Sequence, residues 1–322
     1  MSHPLTSAFP PELLAPLREV EERLLTHARS RDERLATWTR ESLEAGGKRV
    51  RPLLCWTSFL ACGGGSLGPT ARDQALDAAV ALELVHTASL VHDDIMDEAK
   101  ERRGRPSIVA AHGRDGAILV GDYLFTQAFA LAAKLPKEAM AMTADACRRL
   151  CEGQLREQAL QASGRPDRDA YLAVIRDKTA SLLAASCGIG ATLAGVPEPT
   201  VQALWRYGNA IGHAFQVLDD VLDVAGDPQW TGKPAGTDFL EGTLSSPYLN
   251  HLERGGQLPL HRQPEQFPQV RRELFDSGAV AQSQLEASTY TQAALLELES
   301  VPQSPARAAL EALAVQLMER AT

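Results

Sequence analysis

Asp93, Asp94 and Asp97 form an Asp-Asp-x-x-Asp triad, and the same spacing returns at Asp219, Asp220 and Asp223. Each triad closes an apolar stretch that reads as helix. Leu82, Val85, Ser89 and Met96 fall near helical spacing, and nothing between Ala78 and Asp97 breaks a helix. The first and last aspartates of a triad then share one face, one turn apart, with the middle one beside them. Carboxylates so crowded repel one another and lose hydration on burial, a cost that arriving cations relieve. One such triad is more often a solvated acidic helix end; two of them point to divalent metal chemistry on oxygen ligands. Mg²⁺ suits that chemistry, because it accepts a few carboxylates and completes its octahedron with water and substrate phosphate.

Two further segments flank the triads: Gly47-Lys48-Arg49-Val50-Arg51-Pro52 upstream, and Gly232-Lys233-Pro234-Ala235-Gly236-Thr237-Asp238 downstream. In that order the motifs resemble the trans-isoprenyl diphosphate synthases, the polyprenyl synthetase family, from about the first helix to the C-terminus. The resemblance implies an all-α chain, residues 1–322 as a single domain of ten or more helices around a central cavity, usually as a homodimer. The implied activity is Mg²⁺-dependent head-to-tail condensation of isopentenyl diphosphate with an allylic prenyl diphosphate. About three ions per active site are implied, held by Asp93, Asp97 and Asp219, with Asp94, Asp220 and Asp223 as direct or indirect partners.

Residue by residue, Lys48, Arg51, His86 and Arg103 match the family's isopentenyl diphosphate site, and Arg102, Lys178, Thr179, Gln216 and Lys233 match its allylic diphosphate site. Lys178 and Lys233 join the six aspartates as catalytic candidates. Taken singly, Arg102-Arg103 reads as a solvated turn, His86 as a satisfied core histidine and Lys178 as part of a surface cluster; their joint spacing carries the assignment. The physics agrees, since guanidinium forks suit phosphate oxygens and lysine is a mobile point charge. A carboxylate–phosphate contact near ~4 Å costs roughly 4 kcal/mol at an effective dielectric of ~20, so six carboxylates cannot receive a diphosphate without cations. The implied mechanism is ionisation, condensation and elimination, with the proton lost to the departing diphosphate and no side-chain base nominated.

Product length turns on Ala88 and Ser89, one turn and more before Asp93 and about 7 Å below the metals. Short-chain members of the family place an aromatic at this level. Two small residues leave the channel open, so a product longer than C20 is expected. The alternative is a deeper stopper, Leu82, Phe125 or Phe129, giving C15 or C20. Thr243 stands where many relatives have lysine, so the closing loop lacks one cationic contact. Among competing readings, a class I terpene cyclase does not fit the second triad. The non-catalytic subunit of a two-component synthase usually loses the aspartate motifs, and an inactive acidic scaffold leaves Gly47–Pro52 unexplained.

The remaining composition sets bounds. A formal charge of −9 over 322 residues argues against nucleic acid or an acidic membrane surface as partner. Cys55, Cys62, Cys147, Cys151 and Cys187 make no Cys-x-x-Cys pair and read as reduced, mostly core residues of a cytoplasmic protein. The N-terminal residues do not read as a signal peptide, and no apolar run reaches the ~20 residues of a membrane span. Helices are expected over 11–45, 53–62, 70–97, 108 onward, 116–133, 137–161, 168–194, 200–224, 270–298 and 305–320. A functional loop is expected at 226–247, a surface excursion at 254–268, and no sheet.

Overall fold

The protein is described by a computed structural model covering residues 9–226 and 235–319. The helices are α1 Pro11–His27, α2 Glu33–Glu44, α3 Val50–Ala61, α4 Pro69–Met96, α5 Ile108–Ala132, α6 Lys137–Ser163 and α7 Arg168–Val174, then a π-helical turn Ile175–Ala180. There follow α8 Ser181–Leu193, α9 Glu198–Ala225, α10 Thr237–Glu241, α11 Ser246–Glu253, α12 Phe267–Asp276, α13 Ala279–Glu297 and α14 Pro305–Glu319. The all-α expectation holds.

Contacts gather the chain into two compact units. One comprises the chain up to Cys147 with Ala185–Trp205 and Ser300–Leu310; the other comprises Arg148–Ala184, Arg206–Glu299 and the chain from Glu311. Within the first, α4 is the central element and packs against α1, α3 and α5. Its alanine-rich middle is buried on nearly every side, and Asp97 ends it. By length and hydropathy α4 passes the test for a membrane span, yet 78% of that window is buried in the fold and it ends in three aspartates, so it is a core helix. Within the second unit, Val221 and Val224 of α9 form a core with Phe239, Tyr248, Leu274 and Val280.

Local chemistry explains where the elements depart from expectation. The stretch 11–45 breaks because the Asp32 carboxylate accepts hydrogen bonds from the Arg34 and Leu35 amides at 2.9 and 3.2 Å, capping α2 afresh. The stretch 108–133 is one helix kinked at Gly113, whose φ of 77° only glycine adopts readily. Residues 168–194 contain the π turn, and 270–298 breaks at Gly278 with φ 71°. Glu101–Arg102 and Arg105–Pro106 pair as a two-stranded antiparallel hairpin, against the expectation of no sheet. Its two-residue turn, Arg103-Gly104, has positive φ at both positions, the geometry that tight hairpins favour. Two residues per strand are too few to leave an alternating pattern. All five cysteines are free, but only Cys55 and Cys187 are buried.

Two close fits fix the first unit. The turn between α2 and α3 is pinned by Arg49, buried and left-handed at φ 47°. Its guanidinium donates to Glu21 Oε1 at 2.6 Å, to Glu83 Oε1 at 2.9 Å and to the Leu43 carbonyl at 2.9 Å. At Gly190 of α8 a Cβ atom would sit 2.2 Å from the Cys55 carbonyl oxygen of α3, so only glycine permits the close approach of the two helices. Gly190→Ala is expected to lower unfolding free energy by about 1–3 kcal/mol in chemical denaturation. Arg49→Ala strands the buried Glu83 carboxylate and is expected to cost about 3–5 kcal/mol; an unchanged denaturation midpoint in either variant contradicts the packing described.

Candidate active site

The helical phase of the first triad separates its aspartates by environment. Asp94 points inward and is buried, Asp93 is half-buried, and Asp97, at the helix end, is exposed. The buried carboxylate is satisfied by Arg102, whose Nε and Nη2 both donate to Asp94 Oδ1, the first at 2.9 Å. The hairpin directly after α4 makes this possible, because it folds Arg102 back onto the helix. The outer pair, Asp93 and Asp97, is left on the half-buried to exposed side.

A group of basic side chains gathers about two turns earlier on α4, at the start of α3 and in the hairpin turn. Arg51 follows the Arg49 anchor at the start of α3, His86 lies three residues after Glu83 on α4, and Arg103 sits in the hairpin turn. A Cβ at Gly47 would lie 2.8 Å from Arg103 Nη1, so the guanidinium rests on the Gly47 backbone beside Lys48. Burial, then the charge of Arg103, pushes the Arg51 guanidinium down to about 10, against the opposing pull of Glu83. Desolvation and the charges of Arg51, Arg103, Arg49 and Arg102 hold His86 neutral, well below its usual range. The buried Arg51 Nε has no hydrogen-bond partner among the described residues. An incompletely compensated group of this kind is a receptor for an anion rich in oxygen acceptors. The structure thus brings Arg51, His86 and Arg103 within reach of one another's charge.

The second triad repeats the division. Asp220, the middle residue, is buried; Asp219 is exposed and Asp223 half-buried. Asp220 Oδ2 accepts from the Tyr171 hydroxyl and from the Ser246 amide at 3.1 Å, while Oδ1 accepts from Gln216 Nε2 at 3.1 Å. Gln216 in turn accepts from Thr179 Oγ1 at 2.9 Å. Asp223 Oδ1 and Oδ2 accept from the Thr237 and Asp238 amides at 3.1 and 3.2 Å, capping α10. Burial, offset in part by these hydrogen bonds and abetted by Asp219, pushes the Asp220 carboxyl up to about 7. Asp238 rises well above the carboxylate range through burial and the charges of Asp220 and Asp223. Two neighbouring buried carboxyls that resist ionisation form an acidic group whose cost a bound cation would relieve.

Lys178 and Thr179 lie in the π turn of the second unit. Lys178 pairs with Glu157, and the adjoining buried Asp177 is held by Arg156 and Arg176. An extra residue in the helical turn is a common way to re-aim side chains at a functional site. Thr243 accepts from Gln161 Nε2 at 3.1 Å, a neutral hydrogen bond in place of the cationic contact whose absence its identity implied. Lys233 lies outside the described residues. Among the described residues no three carboxylate, imidazole or thiolate groups converge as a ready-made metal cage, so water and phosphate oxygens must supply much of any ion's shell.

Several participants escaped the sequence reading. Arg49 and Glu83 carried only the weak signal of adjacency to Lys48 and His86. Tyr171, Glu157 and Asp177 carried none, because they meet the site residues across long sequence separations or within a helical irregularity.

Comparison with known proteins places this arrangement. The polyprenyl synthetase family matches residues 32–269. A short chain isoprenyl diphosphate synthase of Methanothermobacter thermautotrophicus is 36% identical over 291 residues, covering 86% of this chain and 88% of that protein. Heptaprenyl diphosphate synthase component 2 of Geobacillus stearothermophilus is 36% identical over 313 residues, covering 94% and 95%. The crystal structure of a Caulobacter crescentus polyprenyl synthase complexed with calcium and isoprenyl diphosphate superposes with a TM-score of 0.89 at 30% identity, covering 99% of this chain and 98% of that one. Other relatives are named for geranylgeranyl and nonaprenyl products, so the similarity spans the range of chain lengths. The chain belongs to the polyprenyl synthetase family and is a prenyltransferase.

Proposed function

We propose that the chain makes an all-trans polyprenyl diphosphate longer than C20, by Mg²⁺-dependent condensation of isopentenyl diphosphate with an allylic diphosphate. The observation that carries the reaction class is the cation group around Arg51, a buried positive charge beside an acid triad. Lys48, Arg51, His86 and Arg103 bind the isopentenyl diphosphate. His86, kept neutral, donates or accepts a hydrogen bond without adding charge. Lys178, Thr179, Gln216 and Lys233 bind the allylic diphosphate, as does Arg102, which also orients Asp94. Asp93, Asp97 and Asp219 are the residues that would hold Mg²⁺, which when bound neutralises the charge on the leaving diphosphate. Asp94, Asp220 and Asp223 orient their neighbours and the α10 loop. The allylic C–O bond breaks first, its electron pair leaving with the diphosphate; the alkene of isopentenyl diphosphate then attacks the resulting allylic cation, and the proton lost from the condensed cation passes to the departed diphosphate. The apolar flanks of α4 exclude water from the cation. A homodimer in the cytoplasm fits the exposed Ile118, Leu119 and Phe129 of α5 and the free thiols.

Chain length rests on α4. Ala88 and Ser89 are both buried and small, and the Ser89 hydroxyl is turned back onto the His86 carbonyl at 2.8 Å. Of the possible stoppers on α5, Phe125 lies against His92 with ring centroids 5.8 Å apart, and Phe129 is 43% exposed. Neither observation supports a plug beneath Ser89, which favours the longer product. A second reading, a subunit that needs a partner, draws support from the relative named as a synthase component.

Purified protein incubated with Mg²⁺, isopentenyl diphosphate and radiolabelled allylic diphosphates is expected to form products beyond C20 unaided. Products of C15 or C20 overturn the length assignment, and inactivity until a partner is added supports the subunit reading. Ala88→Phe and Ser89→Tyr are expected to shorten the product by several isoprene units with activity retained; an unchanged distribution removes these residues from the channel. Asp220 also sets a pH dependence. Its folded carboxyl titrates near 7 against ~4 unfolded, so the folded state binds the extra proton between those values, and stability falls as pH rises through that window. Cations relieve this, so the Mg²⁺-induced rise in Tm is expected to grow from about pH 6 to about pH 8 in thermal denaturation, and to be smaller and flatter in Asp220→Asn.

A further inference from the structure

A cavity of about 320 Å³ opens in the first unit between the end of α2, one face of α4, the hairpin and the start of α5. Thr87, Leu90, Val91 and Asp94 line it from α4, spaced to fall on a single face. His86, Asp93 and Asp97 lie on the neighbouring face, about 100° round the helix. The cavity therefore opens on a different face of α4 from His86, Asp93 and Asp97, although its lining shares Asp94, Arg102 and Arg103 with the residues proposed for the condensing substrates. Its walls are largely apolar, with Leu90, Val91, Ile108 and Ala111 in its lining.

The rim is polar and its charge is unbalanced. Both carboxylates in the lining are engaged: Asp94 by Arg102, and Glu41 by His112 Nε2 at 2.6 Å. Arg103 and Arg105, also in the lining, make no ion pair among the described residues. Loss of solvent and the charges of Arg49 and Arg102 push the Arg103 guanidinium down, against the opposing pull of Glu83 and Asp94, and its backbone is held left-handed at φ 55°. An apolar chamber with two guanidiniums at its edge that make no ion pair among the described residues fits an amphiphile with an anionic head. At about 320 Å³ the cavity is at the small end of ligand pockets, which suits a short chain rather than a long one.

We propose that this cavity is a second, non-catalytic site for a short prenyl diphosphate of geranyl size, its head on Arg103 and Arg105 and its chain against Leu90, Val91 and Ile108. The ligand class rests on the substrate class proposed above. Occupancy draws Arg103 away from the isopentenyl diphosphate group and Arg102 from Asp94, so the bound prenyl diphosphate inhibits condensation.

The test uses the full chain, with geranyl S-thiolodiphosphate as a probe that does not ionise and pyrophosphate as the head-only control. Binding is measured calorimetrically in EDTA, where the acid triads repel a diphosphate; condensation is measured separately with Mg²⁺. Ala111→Trp fills the chamber and Arg105→Glu reverses a rim charge; neither residue belongs to the substrate machinery. Each is expected to weaken probe binding about tenfold or more and to relieve inhibition by the probe, with kcat and the KM for isopentenyl diphosphate within about twofold of wild type. Pyrophosphate is expected to bind more weakly than the probe and to be insensitive to Ala111→Trp. Unchanged probe affinity in both variants overturns the proposal, as does a KM for isopentenyl diphosphate that rises in step with the loss of probe binding. If Ala111→Trp does not fold, the exposed Arg105→Glu decides alone. Absence of condensation in wild type counts against the proposed reaction, whereas probe binding still reads the cavity.

Discussion

Buried charge governs this protein. In the second unit burial, and after it the neighbouring carboxylates, makes Asp220 and Asp238 resist ionisation. In the first, Arg51 and Arg103 are shifted the other way, and Glu83, already engaged with Arg49, is the acid that offsets them. Neither arrangement is an efficient way to stabilise a fold, since each is satisfied only when something of opposite sign arrives. The acids call for a cation and the arginines for an anion, the two kinds of charge that the proposed reaction brings.

The two triads reach the same solution with different partners. Helical phase turns the middle aspartate inward in each, where it becomes a fixed point rather than an exposed ligand. Asp94 is tied to Arg102 from the hairpin eight residues on, whereas Asp220 is tied to Tyr171, Gln216 and the Ser246 amide. An inward acid held this way stops the helix end from rotating, so the outer carboxylates keep their direction. The π turn at Ile175–Ala180 serves a similar purpose, setting Lys178 and Thr179 on a helix whose regular phase would aim them elsewhere.

Rigidity in the first unit has a comparably local origin. Arg49 occupies a left-handed conformation that costs energy, and its contacts with α1 and α4 offset that cost. The same turn presents Lys48 and Arg51, so the strained residue and the residues proposed to bind a diphosphate are inseparable in sequence. Gly190 lets α8 approach the backbone of α3 where any side chain would hold it off.

Much of this was written plainly in the chain. Period-3.6 apolar patterning sufficed for the helices, because burying one stripe demands it over many turns, and two Asp-Asp-x-x-Asp triads with their flanking Lys and Arg named the chemistry. Breaks set by a single capping side chain or an uncommon φ, at Asp32 and Gly278, were not distinguishable from continuing helix, since the competing energies differ by about 1 kcal/mol. Which aspartate of each triad turns inward, and that Tyr171 meets Asp220 or Glu83 meets Arg49, was decided by tertiary structure alone. Those pairings join residues 34 to 49 positions apart, and no local pattern encodes a partner that only packing brings near.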